Sequence, residues 1–268
     1  AAGTSLDVIE VDAASNGTLA ALGNVAGATT IFIISTASGE TVATIAPASM
    51  TDEQDISADL LGNYYAVYSG GGNYKIAKHT PSGGTVWTQT NVGASGSISF
   101  DPVNSRVFVV GDDVMDTGES FAVLSPIDGA VVTSIDMGAV TSWDYIRHDG
   151  LGGAVLGNLN AGDDQLLGMS AALAQSWTLT SSSLLVTNIS VNNRDPSGDS
   201  PSRRTVRSIA VAGGTVKVFD RLGTTLVTNG TTALHPGVPV IFSAVAGIDK
   251  IFFSDGISQK YYSAVSNS

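Results

Sequence analysis

Ser97-Ile98-Ser99-Phe100-Asp101-Pro102, Arg106-Val107-Phe108-Val109-Val110-Gly111, Phe121-Ala122-Val123-Leu124-Ser125, then Pro126-Ile127-Asp128-Gly129 and Ala130 to Ile135, is the stretch whose reading decides the fold. Four short runs rich in Val, Ile and Phe are separated by Pro, Asp, Gly and Ser, the pattern of strands joined by tight turns. An antiparallel sheet of four such strands cannot bury both of its faces alone, so neighbouring sheets must supply the rest of the core.

The second run of that stretch recurs along the chain at uneven spacing, each copy ending on Gly, Ser, Asp or Asn. The copies are Thr30 to Ser35, Tyr64 to Gly70, Gly153 to Asn158, Thr215 to Asp220 and Lys250 to Asp255. A repeat of this kind predicts an all-β body, a β-propeller of about six blade-like units. The first unit reads Thr18 to Leu22, Thr29 to Thr36 and Thr41 to Ile45. The second reads Asp55 to Leu60, Tyr64 to Ser69, Tyr74 to Thr80 and Thr85 to Thr90, with a hairpin over Gly70-Gly71-Gly72-Asn73. The fourth is Trp143 to His148, Gly153 to Leu159, Gln165 to Ser170 and Gln175 to Leu179. Val206 to Ala212, Thr215 to Asp220 and Thr224 to Val227 form the fifth; Val240 to Ala246, Lys250 to Ser254 and Lys260 to Ala264 form the last. Helical periodicity is confined to Asp52 to Leu61 and Met169 to Ser176, both short enough to be loops or single turns.

Residues 1–268 are read as a single propeller-like domain. The polar stretch 181–205, with Asn192-Asn193-Arg194-Asp195-Pro196-Ser197-Gly198-Asp199-Ser200-Pro201, reads as a long loop or joint. The sixth unit lacks an outer strand. Either Ser5 to Val11 closes the ring by pairing there, or the natural chain continues beyond Ser268; closure would remove exposed strand edges. The absence of an initiator Met implies processing or a piece of something longer.

Composition excludes several classes of function. The 268 residues contain no cysteine, so thiol catalysis, thiolate metal sites and disulfides are absent. Charged residues make up 13%, against about a quarter in ordinary proteins; Ser, Thr, Asn and Gly carry the polar surface, as in rigid extracellular or virion β proteins. A net charge of −12 opposes binding to nucleic acid. The one basic cluster, Arg203, Arg204 and Arg207, reads as a solvated loop. No apolar run reaches the roughly 20 residues of a membrane span, and the N-terminus shows no signal-peptide pattern.

Motifs for chemistry are scarce. There is no phosphate-binding Gly-rich run ending in Lys-Ser/Thr, no Gly-x-Ser-x-Gly elbow and no Ser-x-x-Lys pair. His79, His148 and His235 are isolated in sequence. Asp112, Asp113, Asp116 and Glu119 crowd one loop, and Asp163 and Asp164 another; carboxylates at strand ends could converge as a glycosidase pair, or simply cap turns. Asp195 to Asp199 spaces oxygen side chains as a calcium loop begins, but Ser200 stands where Gly is wanted and no closing Glu follows. Asn16-Gly17-Thr18, Asn188-Ile189-Ser190 and Asn229-Gly230-Thr231 match the glycosylation pattern, which chance also supplies in so Ser-, Thr- and Asn-rich a chain. Trp87, Trp143 and Trp177, each placed in an expected strand of successive units, read as packing between blades first and as ligand contacts second. No catalytic, cofactor-binding or metal-binding residue is assigned.

Ile98-Ser99-Phe100-Asp101-Pro102 with Arg106 to Val110 and Leu124-Ser125-Pro126-Ile127-Asp128-Gly129 resembles the repeats of quinoprotein-type β-propellers. The resemblance implies a fold; the quinone chemistry of that superfamily uses a cysteine pair that this chain lacks. Arg204 to Asp220, Pro239 to Ser243, Lys250 to Gly256 and Lys260-Tyr261-Tyr262 are similar to repeats of tailed-phage and prophage virion propellers. Together these readings predict a non-enzymatic structural or adhesive module of a virion or cell surface, located on a virion or outside the cell. Its partners would be protein subunits of an assembly or surface glycans, without cofactor, nucleic acid or membrane insertion, and it could oligomerise. The alternatives are a carbohydrate-active hydrolase or lyase with axial carboxylates, and a secreted or periplasmic assembly scaffold.

Overall fold

The computed structural model describes residues 6–13, 16–25, 28–46, 50–70, 73–92, 96–111, 121–137, 143–158, 165–180, 186–191, 206–211, 215–219, 225–229, 241–245, 248–254 and 259–263. Side chains are described for a subset of these, between Asn16 and Thr178. All the described elements are strands, and every pairing is antiparallel between chain neighbours.

The first sheet contains β1 (Leu6–Ala13), β2 (Thr18–Val25), β3 (Ala28–Ser35) and β4 (Thr41–Ile45). The second is β5 (Met50–Ala58), β6 (Tyr64–Gly70), β7 (Asn73–His79) and β8 (Thr85–Val92); the third is β9 (Gly96–Asp101), β10 (Arg106–Gly111), β11 (Phe121–Leu124) and β12 (Val131–Ile135). The fourth is β13 (Tyr145–His148), β14 (Ala154–Gly157), β15 (Gln165–Met169) and β16 (Gln175–Thr180). The fifth is β17 (Val186–Val191), β18 (Val206–Val211), β19 (Thr215–Phe219) and β20 (Thr225–Asn229), and a three-stranded sheet of β21 (Ile241–Val245), β22 (Ile248–Ser254) and β23 (Gln259–Ser263) follows. The chain divides into two compact units, Ala1–Asp144 with the first three sheets and Tyr145–Ser268 with the rest.

Within Ala1–Asp144 the continuous apolar runs are explained by burial on both faces of a sheet. Tyr64, Ala66 and Tyr68 of β6 pack with Leu22, Ile31 and Ile33 of the first sheet, whereas Tyr65 and Val67 pack with Ile98, Phe100, Val107 and Val109 of the third. Alternate side chains of one strand point to opposite faces, so a central sheet needs apolar residues at consecutive positions. β9 is an edge strand, and its N–H groups are satisfied by side chains of the neighbouring sheet. Ile98 N–H donates to Asp55 Oδ2 at 3.0 Å, Phe100 N–H donates to Ser57 Oγ at 3.0 Å, and the Ser97 hydroxyl also donates to Asp55.

Met169 to Ser176 is a turn, one of the two readings open to it: Ser170 N–H bonds Ala174 O between the end of β15 and the start of β16. Three expectations change. Asp52 to Leu61 is not helical: its first part lies in β5, paired with β6. The 181–205 stretch holds a strand, β17, paired with β18, while 192–205 lies outside the described residues. Finally, among the described residues Leu6–Ala13 is hydrogen-bonded to Thr18–Val25 as the first strand of the first sheet, and the sixth sheet consists of β21, β22 and β23. The reason is local: four residues separate these strands, so this hairpin closes at far less entropy than a pairing across the whole chain.

Candidate functional site

The turns that join the first two strands of the second, third and fourth sheets share one device. Asp59, Asp101 and Asp149 each stand five residues before the second strand begins, at Tyr64, Arg106 and Ala154. Each carboxylate accepts from the backbone N–H two residues ahead: Leu61 at 2.9 Å, Val103 at 2.9 Å and Leu151 at 2.7 Å. Asp59 and Asp149 also accept from the N–H four residues ahead, Asn63 at 2.9 Å and Gly153 at 2.7 Å. Aspartate favours this role because its short side chain reaches its own backbone two residues on. In the first sheet Asn16 substitutes, its Oδ1 accepting from Thr18 N–H at 3.1 Å and from the Thr18 hydroxyl.

Asp59 is also the centre of a knot between the second and third sheets. Its Oδ2 accepts from Asn63 Nδ2 at 2.8 Å and from the Tyr65 hydroxyl at 3.1 Å, with Lys78 Nζ at 3.8 Å. Lys78 lies 5.2 Å from the centre of the Tyr65 ring and donates to the carbonyl of Pro126 at 2.8 Å, which Trp87 Nε1 also approaches at 3.3 Å. Tyr65 stacks on Phe100, with ring centres 5.6 Å apart. Burial, then the Asp59 charge, then the hydrogen bond to Asp59 push the Tyr65 hydroxyl far above its ordinary pKa. In the third sheet Arg106 Nε donates to the buried Asp101 at 3.0 Å.

These polar groups are turned inward, whereas the turn tips around them are apolar. Leu60 and Leu61 follow Asp59, Val103 follows Asp101, and Ile127 follows Pro126 in the outer turn of the third sheet; all four are exposed. Asp128 beside Ile127 is exposed too, and hydrogen bonds from the Ser125 hydroxyl and then the Ala130 N–H hold its carboxyl below the usual range.

Other expected residues fare differently. Asp112, Asp113, Asp116, Glu119, Asp163, Asp164, Asp195 to Ser200, Arg203, Arg204 and His235 lie outside the described residues. Arg207, Asn188 and Asn229 fall in strands β18, β17 and β20, their side chains undescribed. His79 ends β7, is 1% exposed and faces Thr85 Oγ1 at 3.3 Å through Nδ1; its Nε2 has no hydrogen-bond partner among the described residues. Burial lowers its pKa to about 4. His148 ends β13 in the other unit. Trp87 and Trp177 occupy matching places in the outer strands β8 and β16, paired with Lys78 and Gly168. Trp143 differs: it is fully buried and precedes β13 instead of lying in a strand. Trp177 borders a hollow of about 250 Å³ whose lining includes Asp149, Leu151, Met169, Ser170 and Ser176.

Among the described residues no three His, Asp or Glu side chains are placed to hold a metal ion, and no helix is long and apolar enough to cross a membrane. The sequence reading missed Asp59, Asp101 and Asp149 as a set, although their common five-residue lead on a strand was there to find.

No protein-family model matches the chain, and no curated protein does. Solved structures do. The C-terminal WD40 domain of Sif2 superposes with a TM-score of 0.63 at 10% identity, over 97% of this chain and 70% of that one. The Dos1 propeller gives 0.63 at 11% identity, over 99% and 69%. The fold is that of a β-propeller. TolB from Acinetobacter baumannii, at a TM-score of 0.57 and 13% identity, is matched over 82% of this chain, which spans 53% of TolB. At such identities the likeness gives the propeller's strand plan and leaves its chemistry to its own residues.

Proposed function

We propose that this propeller is a non-enzymatic protein-binding module, a structural or adhesive part of a virion or cell surface. The observation that carries the reading is the division of labour at the turn edge. Asp59 and Asp101 are engaged in holding turns and neutralising Lys78 and Arg106, while Leu60, Leu61, Val103 and Ile127 stand in solvent. Such an edge offers contact area, and its described residues present no positioned acid, base or nucleophile. The surface location is supported by the low charged content and the resemblance of the C-terminal repeats to virion propellers.

The test is chemical cross-linking of the chain in the particle or surface fraction of its source, alongside incubation with a panel of polysaccharides. A cross-linked protein neighbour and unaltered polysaccharides are expected. Release of reducing or unsaturated sugar ends would replace this reading with that of a hydrolase or lyase.

A further inference from the structure

We propose that the turn edge of the second and third sheets is the docking face itself, and that it takes a cationic apolar segment of another protein. This rests on the protein-binding reading above and adds the face and the chemistry of the partner. Leu60, Leu61, Val103 and Ile127 are 59%, 77%, 56% and 82% exposed. Lys78 reaches both Asp59 and the Pro126 carbonyl, which makes the Leu60–Leu61 and Ile127 turns neighbours. Tyr65 donates to Asp59 and stacks on Phe100, the residue before Asp101, and so brings the Val103 turn alongside. Turn geometry asks for Gly, Asn, Asp or Ser, not for Leu, Val or Ile at the tips. Asp59, Asp101 and Asp128 already supply the turn-capping oxygens. A cluster of large apolar side chains exposed at turn tips marks a contact surface.

Charge selects the occupant. Lys78 and Arg106 are engaged by Asp59 and Asp101. The exposed formal charges on the described turns at this edge of the first three sheets are Glu40 and Asp128, both negative. A second copy would bring the same net −12 and be repelled, whereas Lys and Arg flanking an apolar segment match the edge in both respects.

The probe is a short labelled amphipathic peptide of Leu and Lys, with a Leu and Glu peptide of the same pattern as its sign control. Fluorescence anisotropy would follow both with the wild type, with Leu61→Ser/Ile127→Ser, with Asp128→Lys and with Val132→Ser on β12. The Leu/Lys peptide should bind the wild type and Val132→Ser alike, and the double variant at least about tenfold more weakly. Asp128→Lys, which keeps all four apolar side chains but reverses the charge, should also weaken it, and more so at low salt; that salt dependence separates the charge from the loss of the Asp128 turn cap. Equal binding by wild type, double variant and Asp128→Lys overturns the inference, as does equal binding of the Leu/Glu peptide. A wild-type dimer that the double variant dissolves overturns it in favour of a second copy. Cross-linked neighbours that persist in the double variant sink this face alone; a wild type with no protein neighbour in its source fraction sinks the protein-binding reading as well.

Discussion

Asp59 accepts from two backbone N–H groups, the Asn63 amide and the Tyr65 hydroxyl, with Lys78 beside it. Alanine at this position would strand all of those donors in a site where Asp59 itself is 6% exposed. The expected loss is about 3 kcal/mol in a denaturant titration, because a buried charge left without its partner is worse than no pair at all. A loss below 1 kcal/mol would show that water replaces the carboxylate. His79 behaves oppositely with respect to charge, since it is buried and its Nε2 has no hydrogen-bond partner among the described residues. Its folded pKa is about 4 against an ordinary 6.5, so between those values the unfolded chain binds a proton that the folded chain refuses. Stability is intact above pH 6.5 and falls as the pH drops toward 4, by up to about 3 kcal/mol. Comparing urea midpoints of wild type and His79→Gln at pH 7 and pH 4.5 isolates this share from that of the carboxylates; parallel losses in both would assign the acid sensitivity elsewhere.

At the scale of elements, the outer turns carry the regularity that the strand phrases lack. Ser35, Thr80, Ser125 and Ser170 are spaced by 45 residues, and each donates its N–H across the turn that follows. The position before the closing residue takes a positive φ: Gly39, Gly83, Gly129 and, in the fourth sheet, Leu173 at 61°. Gly129 has two reasons to be glycine, a φ of 75° and the Trp87 ring 2.7 Å from where a Cβ would stand. Gly129→Ala should therefore destabilise by about 2 kcal/mol or more, while Leu173→Gly should be stabilising by about 0.5–1 kcal/mol through relief of left-handed strain. Thermal melts of the two variants shifting in the same direction would refute that account. The strand runs of the second to fourth sheets were legible in the sequence because they are apolar and bounded by turn residues. β1 and β17 were not assigned to their own sheets. Leu6–Ala13 mixes Asp7, Glu10 and Asp12 with its apolar residues, and Val186–Val191 sits beside the polar stretch that read as loop. The candidate site was less legible than the fold. Turn capping by Asp looks, in sequence, the same as a carboxylate waiting for a substrate, and Leu at a turn tip is indistinguishable from Leu at a strand end.

At the scale of the whole molecule, a repeat architecture is held by the intrinsic stability of each sheet and by terms between neighbours. Between the second and third sheets of Ala1–Asp144 the neighbour term can be assigned to atoms. Asp55 and Ser57, alternate residues of β5, take the place of a strand partner for β9 by accepting the N–H groups of Ile98 and Phe100. The same carboxylate holds the Ser97 hydroxyl and its own neighbour's N–H on Ile56 at 2.9 Å. An edge strand left without such acceptors would either hydrate or recruit a foreign strand. In Asp55→Ala/Ser57→Ala the β9–β10 ladder is untouched, since Val107 and Val109 still face Phe100 and Ile98 across it. Hydrogen exchange should then separate the two kinds of bond. The Ile98 and Phe100 amides are expected to exchange about a hundredfold faster, corresponding to about 3 kcal/mol for two buried donors left unpaired, while protection at Ser99 and Phe108, the alternate pair that carries the β9–β10 ladder, changes far less. Uniform acceleration of all four amides would mean that the tie stabilises the third sheet globally. Unchanged exchange at Ile98 and Phe100 would mean that sheet-to-sheet packing of Tyr65, Val67 and Phe100 excludes water without it.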